Sequence, residues 1–349
     1  MGVALGERGS VMKTVWLRGS LAGAAIAVAA LVTLAEAGTV QIQPAIVYAM
    51  GGKFDKSFSE GLYRGAERFK KETGTPYVDF EISNETQFEQ VYRHFAHAGR
   101  NPIIGVGFSQ IEAVTTVAKE FPNVHFTLID SSIRLPNVQA VQFREEEGSF
   151  LVGVLAAMAS KTHKVGFVGG MDVPLIRRFA CGYAQGIHYA DPSAQLIQSM
   201  AGTTPTAWTD PARGGELARQ QFDRGVDVVY AAAGATGMGV LQAAADAHRY
   251  GIGVDSNQDY LHPGTMLTSM IKRVDVVAYN ALRAAQNGTW KPGYTILGLK
   301  EGGVDFAYDQ YNNKLITPAM KAKVDQAKAD IISGKIKVHD YESTNSCNL

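Results

Sequence analysis

The sequence predicts an α/β protein of two doubly wound lobes, each a parallel sheet with helices on both faces. Three observations carry that prediction. Apolar strand-like runs alternate with amphipathic helix-like segments along nearly the whole chain, as expected of parallel sheets joined by crossover helices. The alternation restarts halfway, where "VYAMGG" at 47–52 is echoed by "GFVGG" at 166–170. The chain has 349 residues, more than one hydrophobic core ordinarily serves, which favours two domains.

Taken in order, the chain opens on Lys13 and Arg18, then "LAGAAIAVAALVTLAEA" from Leu21 to Ala37. A basic stretch, an apolar run and a small-x-small end read as a cleaved export signal over 1–37, starting at Met1 or Met12. The run is short for a membrane span. Strands are then expected at 44–50, 77–82, 102–108, 124–130 and 138–143, with helices at 59–74, 87–99 and 109–122 between them. In the first helix Leu62, Ala66 and Phe69 share a face and Gly74 closes it. The second half repeats the pattern. Helices are expected at 147–161, 178–190, 211–225, 237–251 and 274–288. Strands are expected at 164–170, 194–202, 226–234, 252–256 and 264–272. A short strand pair, "YTILGL" and "DFAYD", and a helix at 318–333 finish the chain, leaving 341–349 as a loose polar tail.

Composition excludes several function classes. With 33 Lys+Arg against 33 Asp+Glu, no basic surface for nucleic acid is expected. The two cysteines, Cys181 and Cys347, form neither a CxxC nor a metal-spaced cluster with histidine, so no metal and no cofactor are expected. An exported protein can hold a 181–347 disulfide, but the polar, loose-looking surroundings of Cys347 argue against one. Neither cysteine lies near the signal end, so an unattached periplasmic protein is expected rather than a lipoprotein.

In doubly wound sheets ligands sit beyond the carboxyl ends of the strands. Residues at those ends are Asp55 and Phe58 after the first strand, Asp130, Phe179, Gly234, Asp255 and Lys272. Each has a plain structural reading. Asp55, Ser57 or Ser59 suits a helix cap; Asp130 suits a turn; Phe58 and Phe179 suit a core; Asp255 and Lys272 suit an ion pair. Together they suit a small polar molecule with a flat ring: carboxylates accept from hydroxyls and ring N–H groups, aromatic faces stack, and the lysine donates. No G-x-S-x-G elbow, phosphate-binding P-loop or G-x-G-x-x-G turn is present, and no catalytic residue is assigned.

The stretches "GGKFDKSFSEGLYRGAER", "IIGVGFSQIEAVTTVAKEFPNVHFTLID", "FREEEGSFLVGVLAAMASKTHKVGFVGG", "VDVVYAAAGATGMGVLQAA", "GIGVDSNQ" and "TSMIKRVDVVAY" resemble, in this order, the basic membrane protein (Bmp) family. These are the purine nucleoside receptor-like substrate-binding proteins of ABC transporters. The resemblance spans roughly 45–310. It implies a type I periplasmic binding protein fold with a hinge of three crossovers, near Phe143, Ser269 and Tyr294. The lobes would be 40–143 plus 270–293 and 144–269 plus 294–340. It also implies that Phe58 and Phe179 sandwich a purine base, that Asp130 meets the base edge with Asp55 beside it, and that Asp255, Lys272 and the Gly234 backbone hold the ribose. The chain departs from the family pattern at Ser59, where Asn is common, at Asn257, where Asp is common, and at Ala180, where an acid is usual. The implied function is a monomeric periplasmic protein that binds a purine nucleoside and delivers it to an inner-membrane permease. A free base, a flavin or another nucleoside-like solute is the alternative ligand, and a nucleoside hydrolase-type enzyme the alternative class.

Overall fold

The computed structural model describes residues 40–347; the signal expected at 1–37 lies outside the described residues. The apolar run "AIVY" forms β1 (Ala45–Tyr48), buried on both faces as a central parallel strand must be. Gly51 and Gly52 follow with φ of +108° and +73°, a left-handed turn that L side chains resist. At Gly52 a side chain would also meet the Glu81 carboxylate, 2.6 Å away. The turn delivers the chain into α1 (Phe58–Thr73), whose buried stripe includes Leu62, Ala66 and Phe69 and whose end is Gly74, at φ +72°. The chain continues through β2 (Val78–Glu81), α2 (Phe88–His97), β3 (Ile103–Val106), α3 (Ile111–Glu120), β4 (Phe126–Ile129) and β5 (Val138–Phe143).

The second half starts with α4 (Glu145–Ala159), an almost wholly buried helix. It runs on through β6 (Lys164–Met171), α5 (Pro174–Ala190), β7 (Gln195–Gly202), a 3-10 turn at Pro205–Trp208, α6 (Pro211–Asp223), β8 (Val228–Ala232), α7 (Thr236–Asp246), β9 (Tyr250–Asp255) and β10 (Met266–Lys272). Then come α8 (Val274–Gln286), β11 (Gly293–Leu297), β12 (Val304–Phe306) and α9 (Pro318–Ile332). One sheet has the order β2-β1-β3-β4-β5-β11 and the other β7-β6-β8-β9-β10-β12. The orders match strand for strand, so β4 and β9 are counterparts, as are β5 and β10. All neighbours are parallel except β12, which runs antiparallel to β10.

Three expectations need correction. The short segments at 293–297 and 304–306 are not a pair: β11 extends the first sheet and β12 edges the second. The later crossovers fall after Lys272 and Leu297 rather than near Ser269 and Tyr294, because β10 stays paired through Lys272 and β11 through Leu297. The tail is not loose. Tyr341–Ser343 forms a 3-10 turn, and Cys347 is bonded to Cys181 with their Cα atoms 5.5 Å apart, inside the usual disulfide span. A polar tail held by ion pairs and one covalent bond carries no apolar periodicity to announce it.

Candidate functional site

The strand order brings the ends of β4 and β9 to the same crevice between the lobes. Each is followed or closed by an aspartate in left-handed backbone, Asp130 at φ +60° and Asp255 at φ +62°. That conformation is unusual for a residue with a Cβ and concentrates at binding sites. It turns both carboxylates out of line with their strands. Lys272, the last residue of β10, meets them from the side. Its Nζ lies 2.7 Å from Asp130 Oδ2 and 2.8 Å from Glu145 Oε1. The same ammonium sits over the rings of Phe58, Phe143 and Phe179, 4.7, 5.1 and 5.6 Å from their centroids, within cation–π range.

Buried this way, the charges perturb one another. Burial alone would pull the Lys272 ammonium down, but Asp130, Glu145 and Asp255 outweigh it and hold it above its usual value. Burial pushes the Asp130 carboxyl up to about 7 against the pull of Lys272. It pushes Asp255 up to about 6 against Lys272 and a hydrogen bond from Ser57. Asp130 Oδ1 and Ser59 Oγ are buried without a hydrogen-bond partner among the described residues, a state that ordinarily carries a desolvation cost.

The opposite wall is the start of α1. Asp55 is its cap: Oδ1 accepts from the backbone N–H of Ser57 and Glu60, and Oδ2 from that of Ser59, at 2.9, 3.0 and 3.0 Å. Asp55 therefore does what the sequence reading gave preferentially to Ser57 or Ser59. Ser57 is left to reach across the lobes. Its Oγ donates to Asp255 Oδ2 at 2.6 Å, while Ser256 Oγ donates to Ser57 O at 2.7 Å and Gln258 Nε2 to Lys56 O at 3.1 Å.

All eight residues singled out from the sequence, Asp55, Phe58, Ser59, Asp130, Phe179, Gly234, Asp255 and Lys272, line one cavity. Phe58 and Phe179 both pack about Lys272, so a base between those rings would lie against the ammonium. The sequence reading missed Trp208, a half-buried lining residue. Its ring lies on Gly170, where an added Cβ would come within 2.2 Å of it, and close beside Gly234. That is the work of the glycine in β6: it leaves room for an indole at the mouth of the crevice. Glu145 and Arg178 were missed too. The run "REEE" at 144–147, acids opening an otherwise apolar helix, was the available signal. Among the described residues no group of three or more side chains suited to a metal occurs.

A sequence profile described as "ABC transporter substrate-binding protein PnrA-like" matches residues 42–342. The chain belongs to the Bmp family. Among Bmp-related proteins, the ABC transporter nucleoside-binding protein BmpA of Lactococcus lactis is 33% identical over 321 residues, 85% of this chain and 89% of the relative. An uncharacterized lipoprotein of Pyrococcus abyssi is 33% identical, covering 78% of this chain and 70% of the relative. A crystal structure of an ABC transporter solute-binding protein from Aeropyrum pernix K1 superposes with a TM-score of 0.81 at 28% identity, covering 87% of this chain and 95% of that one. The two matched sheets are thus those of a type I periplasmic binding fold, and as a Bmp protein the chain is an ABC transporter substrate-binding protein. The lipoprotein relative gives no support to the expectation of an unattached protein, and the segment concerned lies outside the described residues.

Proposed function

We propose that this Bmp protein holds a purine nucleoside between its lobes, in the periplasm, and delivers it to the permease of an ABC importer without making or breaking a bond. The observation that carries the reading is the charge of the cavity wall. Asp55, Glu85, Asp130 and Asp255 line it, against Lys272 as the one basic side chain among the described residues of the wall. Such a wall favours a neutral ligand rich in hydroxyl and N–H donors and disfavours a phosphate. A nucleoside meets that description and a nucleotide does not.

In this reading Asp255 and Lys272 hold the ribose hydroxyls near the Gly234 backbone. Asp130 Oδ1 and Ser59 Oγ face the edge of the base. Trp208 supplies the stacking face, while Phe58 and Phe179 keep water from the Lys272 ammonium. The name of the Lactococcus lactis relative, a nucleoside-binding protein, is in keeping with this assignment. Domain closure about the three crossovers would signal loading.

Calorimetric titration with inosine, guanosine, adenosine, uridine and inosine monophosphate tests the proposal. A purine nucleoside should bind and the monophosphate should not. Equal binding of the monophosphate, or no heat from any nucleoside, would overturn it. Inosine incubated with the protein should yield no free hypoxanthine; release of the base would make the protein an enzyme.

A further inference from the structure

Beneath the cavity the buried charges continue. Glu145, which faces Lys272 on one side, accepts from Arg178 Nη1 at 3.0 Å on the other. The same nitrogen donates to the carbonyl of Phe143 at 3.2 Å, at the end of β5 where the chain first passes between lobes. The remaining edge of the guanidinium meets the C-terminal segment. Nε and Nη2 donate to the two oxygens of Asp340 at 2.8 and 3.2 Å, and Nη2 also donates to Glu342. All five N–H groups of Arg178 can thus be matched to acceptors, with the side chain only 7% exposed.

The segment is tied to α5 at two further places on the same face. Cys181 is bonded to Cys347. Gln185 accepts from His339 N at 2.7 Å and donates to His339 O at 3.0 Å. Positions 178, 181 and 185 follow helical spacing, so residues 339–347 lie along one stripe of the helix that also carries Phe179.

We propose that Arg178, Asp340 and Glu342 are positioning residues of the ligand site, and that the Cys181–Cys347 disulfide is the latch that keeps them in place. Glu145 is shared between two cations. While Asp340 and Glu342 satisfy the outer edge of Arg178, Glu145 stays within reach of Lys272. Once the segment leaves, Asp340 and Glu342 no longer neutralise the guanidinium, and its pull on the acids that remain beside it grows. Those facing it are Glu145 and Glu146, the latter 3.8 Å from Nε. Glu145 is drawn away from Lys272, and the ammonium closes on Asp130, the acid assigned to the base edge.

A dithiol reductant opens the latch. Its thiolate attacks the sulfur of Cys347, an exposed residue, and Cys181 leaves as a thiolate that takes a proton. The second thiol then closes the reductant's own disulfide and releases Cys347 as a thiol. Two electrons and two protons pass from reductant to protein.

The inference rests on the reading of the cavity as the ligand site, so the test has two readouts. The first is the side-chain ammonium signal of Lys272 in 15N-lysine-labelled protein without ligand. The second is calorimetric affinity for inosine, guanosine and adenosine. Both are measured on oxidised protein, on dithiothreitol-treated protein, on Cys347→Ser, and on Asp340→Asn/Glu342→Gln with the disulfide intact. The Lys272 signal should shift in all three perturbed forms. Affinity should fall roughly tenfold, the equivalent of one lost hydrogen bond to a charged group. If no nucleoside binds yet the Lys272 signal follows the latch, the ligand assignment fails and the coupling stands. If melting temperature falls while the Lys272 signal and the affinity stay put, the segment is only a staple and the proposal is overturned.

Discussion

The ammonium of Lys272, closing β10 in the second sheet, lies 2.7 Å from the carboxylate of Asp130, which follows β4 in the first. This buried pair joins the lobes at the floor of the cleft, with Glu145 as its third member at 2.8 Å.

Lys272→Met leaves Asp130 buried without its cation, while Glu145 keeps only Arg178. Removing one partner of a buried pair ordinarily costs about 3–5 kcal/mol. Urea denaturation should show a loss of that order, and Lys272→Met/Asp130→Asn should recover part of it. A single variant as stable as the parent would mean that the pair is hydrated in solution.

Asp255→Ala should separate binding from stability. The carboxylate is held in left-handed backbone and pushed up to about 6 by burial, so its ionised form burdens the fold. Its loss should leave urea stability nearly unchanged or improved. It removes the acceptor proposed for the ribose hydroxyls, and calorimetric affinity for a purine nucleoside should fall by about 1.5–3 kcal/mol. Unchanged affinity would remove Asp255 from the site.

Stability and affinity should respond to pH in opposite directions. Burial raises Asp130 to about 7, Asp255 to about 6, Asp259 to about 7 and Glu146 to about 8, from ordinary values of 3.8 and 4.5. Each holds its proton more tightly folded than unfolded, so its contribution to stability is full below the ordinary value and is lost as pH climbs through the raised one. His125, lowered by burial, works the other way and is one group against four. The protein without ligand should melt higher at pH 5 than at pH 8. The ligand needs the ionised acids, so affinity should fall on acidification, about tenfold at pH 5 from Asp255 alone. Melting curves and titrations across this range decide both.

Gly170→Ala puts a methyl group within 2.2 Å of the Trp208 ring. Overpacking of this kind costs about 1–3 kcal/mol and should shift the indole from the mouth of the cleft, weakening nucleoside binding. Trp208→Leu keeps the space filled and removes the π face, so it should lower affinity with little change in melting temperature. If both variants bind as the parent does, stacking belongs to another ring.

Much of this was legible in the sequence. The apolar runs, glycine stops and helical stripes placed the regular elements, because each reports local burial with its own period. The strand-end residues converged on one cavity because a doubly wound sheet directs its carboxyl ends to a common crevice, whatever the spacing between them in sequence. Partnerships were not legible. Asp130 and Lys272 are 142 residues apart, Arg178 and Asp340 162, Cys181 and Cys347 166. Periodicity carries no information on such pairs.

The sequence by itself therefore determined two matched α/β lobes, their family and eight of the residues that face the cleft. Only the tertiary structure decided what those residues do there. It made Asp55 a helix cap, set Phe58 and Phe179 around an ammonium and gave Trp208 its place over Gly170. It also bound the polar tail to the helix beneath the site. Hydrogen bonds and ion pairs depend on distances of a few tenths of an ångström between elements far apart in the chain, and packing alone sets those distances.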